Sequence, residues 1–339
     1  MASKPQRGEK ATPMRLSEEA RAGLPRGFRL VLQLVGFAIG LALVVWCVKG
    51  AFEGGEDGWT RMKEADGGLI AAMLGCSIAS LIANGAIFFA TIRPVHRERF
   101  LVLQGVNLTA ALFNYAPIRL GVMSRYLYHV RVDRFSILFV TGWIAVVAIA
   151  VVGVMGAAVG ATLLQPEPGI AWALLFIAPL VALVLTLPIL AGLPIVRRFT
   201  RGGEAMLTDR RWIALAFGLR AFDLAMWAVR LGIAASILGI ELPVGDVLLL
   251  AVTALVVALN PLGRLGWREA AVAFLAARLA TPSLDAGELD ATFQQLALLE
   301  SASEAIVSIP LGLLAFIWWI RRIRSGRPEA VAARDADPK

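Results

Sequence analysis

Residues 114–125, NYAPIRLGVMSR, and residues 260–269, NPLGRLGWRE, decide how the rest of the chain is read. Each sets proline, glycine and two arginines inside a stretch that otherwise reads as membrane-buried helix. Proline removes a backbone donor and glycine loosens a helix, so both stretches are expected to break there. Broken backbone at membrane depth persists only where protein buries it or where it lines a polar cavity. An arginine in hydrocarbon costs at least about 2.5 kcal/mol, which marks its position as a candidate site. Both stretches contain Arg-Leu-Gly, at Arg119–Gly121 and at Arg264–Gly266. The pattern predicts a duplicated fold with a central polar site.

The surrounding chain supports a membrane setting. Of its 339 residues, 58% are hydrophobic and 17% charged, and the mean hydropathy is +0.72. Soluble domains carry about 45–50% apolar and about 25% charged residues. The net charge of +8 comes from basic residues gathered at the ends of apolar runs. That distribution follows the positive-inside rule and argues against a nucleic-acid partner, for which no recognition module is present. Cys47 and Cys76 lie within apolar runs and form no disulfide or metal pattern. His96 and His129 sit among arginines, where solvated or headgroup-facing imidazoles are expected, and no metal or cofactor is implied.

Charge at the loops sets the topology. Residues 1–29 form a basic, cytoplasmic N-terminal segment, and Leu30–Val48 is long enough to cross ~30 Å of hydrocarbon. The acidic loop 49–66 belongs outside; the second span, Gly68–Ile92, returns to Arg93, Arg97 and Arg99. Residues 100–134 hold the first break between two basic flanks, so a hairpin entering and leaving on the cytoplasmic side satisfies both. Spans over 135–164, 170–195 and 212–240 then alternate outside, inside, outside. Residues 247–280 hold the second break between flanks without Lys or Arg, so that hairpin enters from the opposite side. A last span, Leu296–Ile320, leads to Arg321, Arg322, Arg324 and Arg327.

The expected fold is an all-α integral membrane protein with about six full transmembrane helices, two re-entrant hairpins and an inverted-topology repeat. Residues 30–164 form one half and 170–320 the other, with a polar cytoplasmic tail at 321–339. Both termini face the cytoplasm of a cytoplasmic (inner) membrane. In such folds the site lies where the broken elements meet.

The first break resembles the Asn-x-x-Pro-x-Arg-x-Gly-Glu-x-x-Arg segment of the flippase-like membrane region of lysylphosphatidylglycerol synthases. Asn114, Pro117, Arg119, Gly121 and Arg125 fall on it, while Val122 stands where the family has an acid. The second is similar to that family's Pro-Gly-Gly-x-Gly-x-Arg-Glu segment. Pro261, Gly263, Gly266, Arg268 and Glu269 fall there, with one extra residue before Gly266 and with Arg264 near a usual small residue. The resemblance spans roughly residues 25–325 in motif order and hydropathy. It implies handling or translocation of a phospholipid or related lipid, without the aminoacyl transfer domain of larger members. It leaves room for a partner enzyme of lipid synthesis.

Asn114, Pro117, Gly121, Asn260, Pro261, Gly263 and Gly266 are the expected structural residues of the breaks. The candidate substrate-binding residues are Arg119, Arg125, Arg230, Arg264, Arg268, Glu269, Glu300 and Glu304. Guanidinium forks suit a lipid phosphate; the bland alternative is that they snorkel or pair with Glu269. Glu269 also suits a helix N-terminus on its own account. Arg220, Asp223 and Arg230 share one face of a span and must look inward, with Arg220 and Asp223 placed to form an ion pair. Glu300 and Glu304, one turn apart, need arginine partners or a proton, and Arg230, Arg264 and Arg268 are the partners to expect. Trp59, Trp143, Trp172, Trp212, Trp318 and Trp319 read as interfacial anchors. The primary expectation is a lipid transporter with a central basic headgroup site. An intramembrane lipid-modifying enzyme or a membrane subunit of an envelope-lipid complex is the alternative, and a structural scaffold is the third. Against catalysis stand the absent Ser–His pair, zinc helix and nucleotide loop.

Overall fold

A long apolar run satisfies its peptide groups in hydrocarbon only by folding as a helix. In the computed structural model, residues 26–53, 56–116, 120–194, 203–258, 266–279 and 286–325 are described. Every regular element among them is helical. The order is α1 (Arg26–Glu53), α2 (Glu56–Lys63), α3 (Gly67–Ile92), α4 (Phe100–Phe113), α5 (Leu120–Arg131), α6 (Ile137–Leu164) and α7 (Ile170–Ala191). Then come α8 (Ala205–Thr208), α9 (Arg210–Leu238), α10 (Val244–Ala258), α11 (Trp267–Leu279) and α12 (Ala286–Ser325). Six of these, α1, α3, α6, α7, α9 and α12, are long and apolar enough to cross a membrane. The protein is an all-α membrane protein.

Local chemistry places the helix ends. Asp66 caps α3 by accepting from Gly68 N–H, Ser136 caps α6 from Phe139 N–H, and Asp209 caps α9 from Arg211 N–H. Gly239 ends α9 in the left-handed conformation. Arg61 of α2 donates to the Leu238 carbonyl at 2.6 Å, covering one terminal acceptor of α9.

Two differences from the sequence reading follow from helix chemistry. The acidic loop 49–66 contains α2, and α12 starts at Ala286, well before the apolar run at Leu296. Nothing in residues 286–296 breaks a helix, and Phe293, Gln294, Gln295 and Leu296 turn inward. Gln295 donates to the Ala51 carbonyl at 2.9 Å and so ties this extension to the end of α1.

The helix pairs α4–α5 and α10–α11 straddle the two sequence breaks, and each pair packs arm against arm. Arms of 12 to 15 residues are ~18–22 Å long, short of the ~30 Å hydrocarbon thickness. The contact between α3 and α9 is the most extensive in the molecule. Around it the packing repeats with the halves exchanged. Helix α1 lies on α12 and α7 on α6; α4 lies on α12 and α10 on α6; α3 also meets α12, as α9 meets α6. Each half thus wraps its hairpin and its first helix against the last helix of the other.

Candidate functional site

Both breaks reach the same stretch of α12. At the first, a methyl group on residue 121 would run into Asn114 Oδ1 and the Ala110 carbonyl, so Gly121 lets α5 start against the end of α4. Tyr115, in the same turn, shares a 3.0 Å hydrogen bond with Ser308 of α12. At the second, Gly266 has φ +80 and packs on the Gly40 carbonyl of α1. Only glycine adopts that backbone without strain. Trp267 Nε1 donates to the Gly36 carbonyl at 3.1 Å. Gly36 and Gly40 form a Gly-x-x-x-Gly pair, a close-approach signal that was present in the sequence and not used.

Glu269 accepts from Gly266 N–H at 2.7 Å, closing the first turn of α11 as the acid of a capping box. Its other oxygen accepts from Ser301 Oγ of α12. Arg268, beside it, donates to Glu304 at 2.7 Å and to Ser301, and lies 3.4 Å from both Glu269 and Glu300. Arg230 of α9 donates through Nε to Glu300 at 2.8 Å, lies 3.3 Å from Glu304, and reaches Ser77 of α3 at 3.2 Å. The Trp227 ring lies under both guanidinium groups, 4.5 Å from Arg230 and 5.3 Å from Arg268. One turn or more away along α9, Arg220 pairs with Asp223, which also accepts from Ser80 Oγ. Arg230 is 0% exposed and Glu300 1%.

The structure therefore joins Arg230, Arg268, Glu269, Glu300 and Glu304 into one buried network, with the arginine–glutamate partnerships expected for Arg230 and Arg268. It also pairs Arg220 with Asp223. The basic character expected of this centre is not supplied by these residues. Among the described residues three arginines, Arg220, Arg230 and Arg268, face four carboxylates, Asp223, Glu269, Glu300 and Glu304. Arg119, Arg264, Pro117, Asn260, Pro261 and Gly263 lie outside the described residues. Ser77, Ser80, Ser301 and Trp227 complete the network and were missed. A hydroxyl in an apolar helix is too common to single out, although Ser301 falls between Glu300 and Glu304.

Arg125 stands apart. On α5 it donates to Asn107 Oδ1 of α4 at 2.6 Å and lies 3.9 Å from the Phe88 ring centre of α3. Asn107 in turn donates to the Leu81 carbonyl at 3.0 Å.

A second titratable cluster ties the α3–α4 loop to the end of α5. His129 is 2% exposed, packs edge-on against Trp143 and meets Asp133 at 2.6 Å, so it is buried rather than solvated. His96 pairs with Glu98 at 3.3 Å, and that bond raises the imidazole above its ordinary value. Burial alone would push the Glu98 carboxyl up, but bonds from His96 and Arg99 N–H outweigh it and hold the group low. Burial pushes the Asp133 carboxyl up against its pairing with His129. Trp143 donates to Thr91 at 2.8 Å, and both Trp143 and Trp319 are core residues rather than interfacial anchors.

Comparison of the chain with protein-family models, curated proteins and solved structures finds no match.

Proposed function

We propose that this protein moves a membrane lipid across the bilayer as a flippase-like transporter. One observation carries the reading: two helix breaks, one from each half, converge on residues 301–308 of α12, beside a buried network of ionisable side chains. Buried charge in a membrane helix bundle is costly and marks a transport pathway or relay by default. The exchange-symmetric packing supports an inverted-topology repeat whose hairpins enter from opposite sides, with the site at their meeting point. Rocking of one half against the other about the α3–α9 contact would expose that point alternately. The motif resemblance to the membrane region of lysylphosphatidylglycerol synthases points to the same substrate class, a lipid with a phosphate headgroup. A partner enzyme would make or consume the lipid.

Ser301 favours a second reading, a lipid-modifying enzyme, because its hydroxyl donates to the Glu269 carboxylate in the manner of a base-held nucleophile.

Reconstitution with headgroup-labelled phospholipids, under an imposed pH gradient and membrane potential, separates the two. Label that changes leaflet and is recovered intact supports transport; recovery of a chemically altered lipid supports the enzyme; neither outcome across the common phospholipids refutes both. The hairpin geometry has its own test, with single cysteines at Ala116 and Leu262 in a chain lacking Cys47 and Cys76. Labelling of 116 from the cytoplasmic side only and of 262 from the outer side only is expected. Labelling of both from one side overturns the inverted repeat.

A further inference from the structure

The two halves differ at the outgoing arms of their hairpins. Helix α11 is flanked by α1 as well as α12, whereas its counterpart α5 makes no comparable packing with α7, the counterpart of α1. Along α5 this leaves Leu120, Met123 and Leu127 exposed, with Met123 at 59%. Spacings of three and four put them on one strip. On α11 only Phe274 is exposed among the large apolar side chains.

The charges differ in the same way. Arg220, Arg230 and Arg268 each hold a carboxylate. Among the described residues Arg125 has none: its contacts are the Asn107 amide oxygen and the Phe88 ring. Nor does the helix equivalent to α12 offer one, because α6 contains no ionisable acid or base from Ile137 to Leu164. A neutral amide and a ring face orient a guanidinium without neutralising it, and a cation in a membrane protein stays costly until an anion meets it. Arg125 as a residue is partly exposed, and its guanidinium lies between the amide and the ring with no counter-ion among the described residues. It sits six residues before the basic end of α5, ~9 Å along the axis.

We propose that the α3–α4–α5 junction docks an anionic, phosphate-bearing membrane lipid. The phosphate meets Arg125, and an acyl chain lies along Leu120, Met123 and Leu127. The proposal rests on the lipid reading given above and names the substrate class and the entry point. Charge complementarity selects the occupant. A zwitterionic lipid brings its own cation to the junction; an anionic phosphate leaves the guanidinium fork as its counter-ion, in the bidentate geometry arginine favours.

The test uses the full chain in nanodiscs of phosphatidylcholine doped with phosphatidylglycerol carrying a photoreactive acyl chain. Crosslinks on α5 between Leu120 and Leu127, competed by unlabelled phosphatidylglycerol and not by phosphatidylcholine, are expected. Arg125→Gln should weaken phosphatidylglycerol binding tenfold or more, with Arg125→Lys falling between. Crosslinks confined to other helices overturn the proposal in the unaltered protein, whether or not the variants fold. So does unchanged phosphatidylglycerol affinity in folded Arg125→Gln. Displacement by millimolar inorganic phosphate, with no preference among lipids, identifies a free-anion site and overturns the lipid assignment. Translocation is scored separately. Specific docking without translocation by the unaltered protein refutes the transporter reading alone; translocation with unchanged binding in Arg125→Gln refutes the docking site alone.

Discussion

Replacing Arg230 by methionine removes the cation that bridges α9, α12 and α3, and the structure sets the size of the effect. The guanidinium is fully buried, donates to Glu300 through Nε at 2.8 Å and reaches Ser77 at 3.2 Å. Without it Glu300 keeps, among the described residues, one distant arginine, Arg268 at 3.4 Å. Removing one member of a buried ion pair costs about 3–5 kcal/mol, mostly as the penalty on the charge left behind. For a chain of this size that is a fall in unfolding temperature of about 4–7 °C. Adding Glu300→Met removes the stranded charge, and a buried pair replaced by apolar groups of similar volume is close to neutral. The double variant should therefore recover most of the loss, which requires a coupling of about 3 kcal/mol or more. The two free cysteines supply the assay: Cys47 and Cys76 are both buried, so a thiol-reactive dye reports unfolding in detergent. A double variant as unstable as the sum of the two singles, or an Arg230→Met protein that melts unchanged, would falsify the pairing argument.

Two further outcomes follow from local geometry. Gly266→Ala should lower the melting temperature sharply, since φ +80 costs a side chain about 1–3 kcal/mol and the methyl would meet the Gly40 carbonyl. Gly156→Ala, in open space on α6, should be neutral or stabilising by up to ~1 kcal/mol; equal behaviour of the two variants refutes the close approach. The His96–Glu98 pair sets a pH window for the α3–α4 loop. His96 is raised, so its contribution is complete below the ordinary imidazole value and is lost as pH rises through the raised one. Glu98 is lowered, so its contribution is present above the ordinary glutamate value and is lost as pH falls through the depressed one. Asp133 is raised and opposes folding once it ionises. Hydrogen exchange of residues 93–99, corrected for intrinsic rates, should be slowest near about pH 6 and faster by about pH 9. His96→Gln should flatten that alkaline limb, and a flat profile in the unaltered protein contradicts the pairing.

The spans were legible because hydrocarbon leaves a long apolar run one choice of structure. Gly68–Ile92 was read to within a residue of α3, and the interruptions fall between α4 and α5 and between α10 and α11. Glu300 and Glu304 were legible as needing arginines, since two acids one turn apart in an apolar helix cannot both stay ionised alone. The sequence did not say which arginine takes which acid. Arg230 and Glu300 stand 70 positions apart, and only the crossing of α9 with α12 brings them together. His129 was misread because a charge-rich neighbourhood describes the chain around it and not the side on which it points. The fold turns it onto Trp143, where Asp133 becomes its polar contact. Trp143 itself lies near a span end, as an anchor does, yet packing of α5 over α6 makes it core.

Aligning the shared tripeptide shows how two halves of one plan divide their labour. Arg268 and Glu269 fall opposite Met123 and Ser124, while Arg125 falls opposite Ala270. In the second half the charged pair opens the helix and faces α12, which carries Glu300, Ser301 and Glu304 to receive it. In the first half the cation comes two residues later, turning it ~200° around the helix at about 100° per residue. It then meets α3 and α4 in place of α6, which has no acid to offer. A buried charge held by carboxylates acts chiefly on stability, whereas a charge without a counter-ion acts on affinity. Arg268→Gln and Arg125→Gln should accordingly part company. The first is expected to lower the melting temperature at any lipid composition. The second is expected to melt as the unaltered chain does in phosphatidylcholine and to lose only the added stability that phosphatidylglycerol confers by binding the folded state.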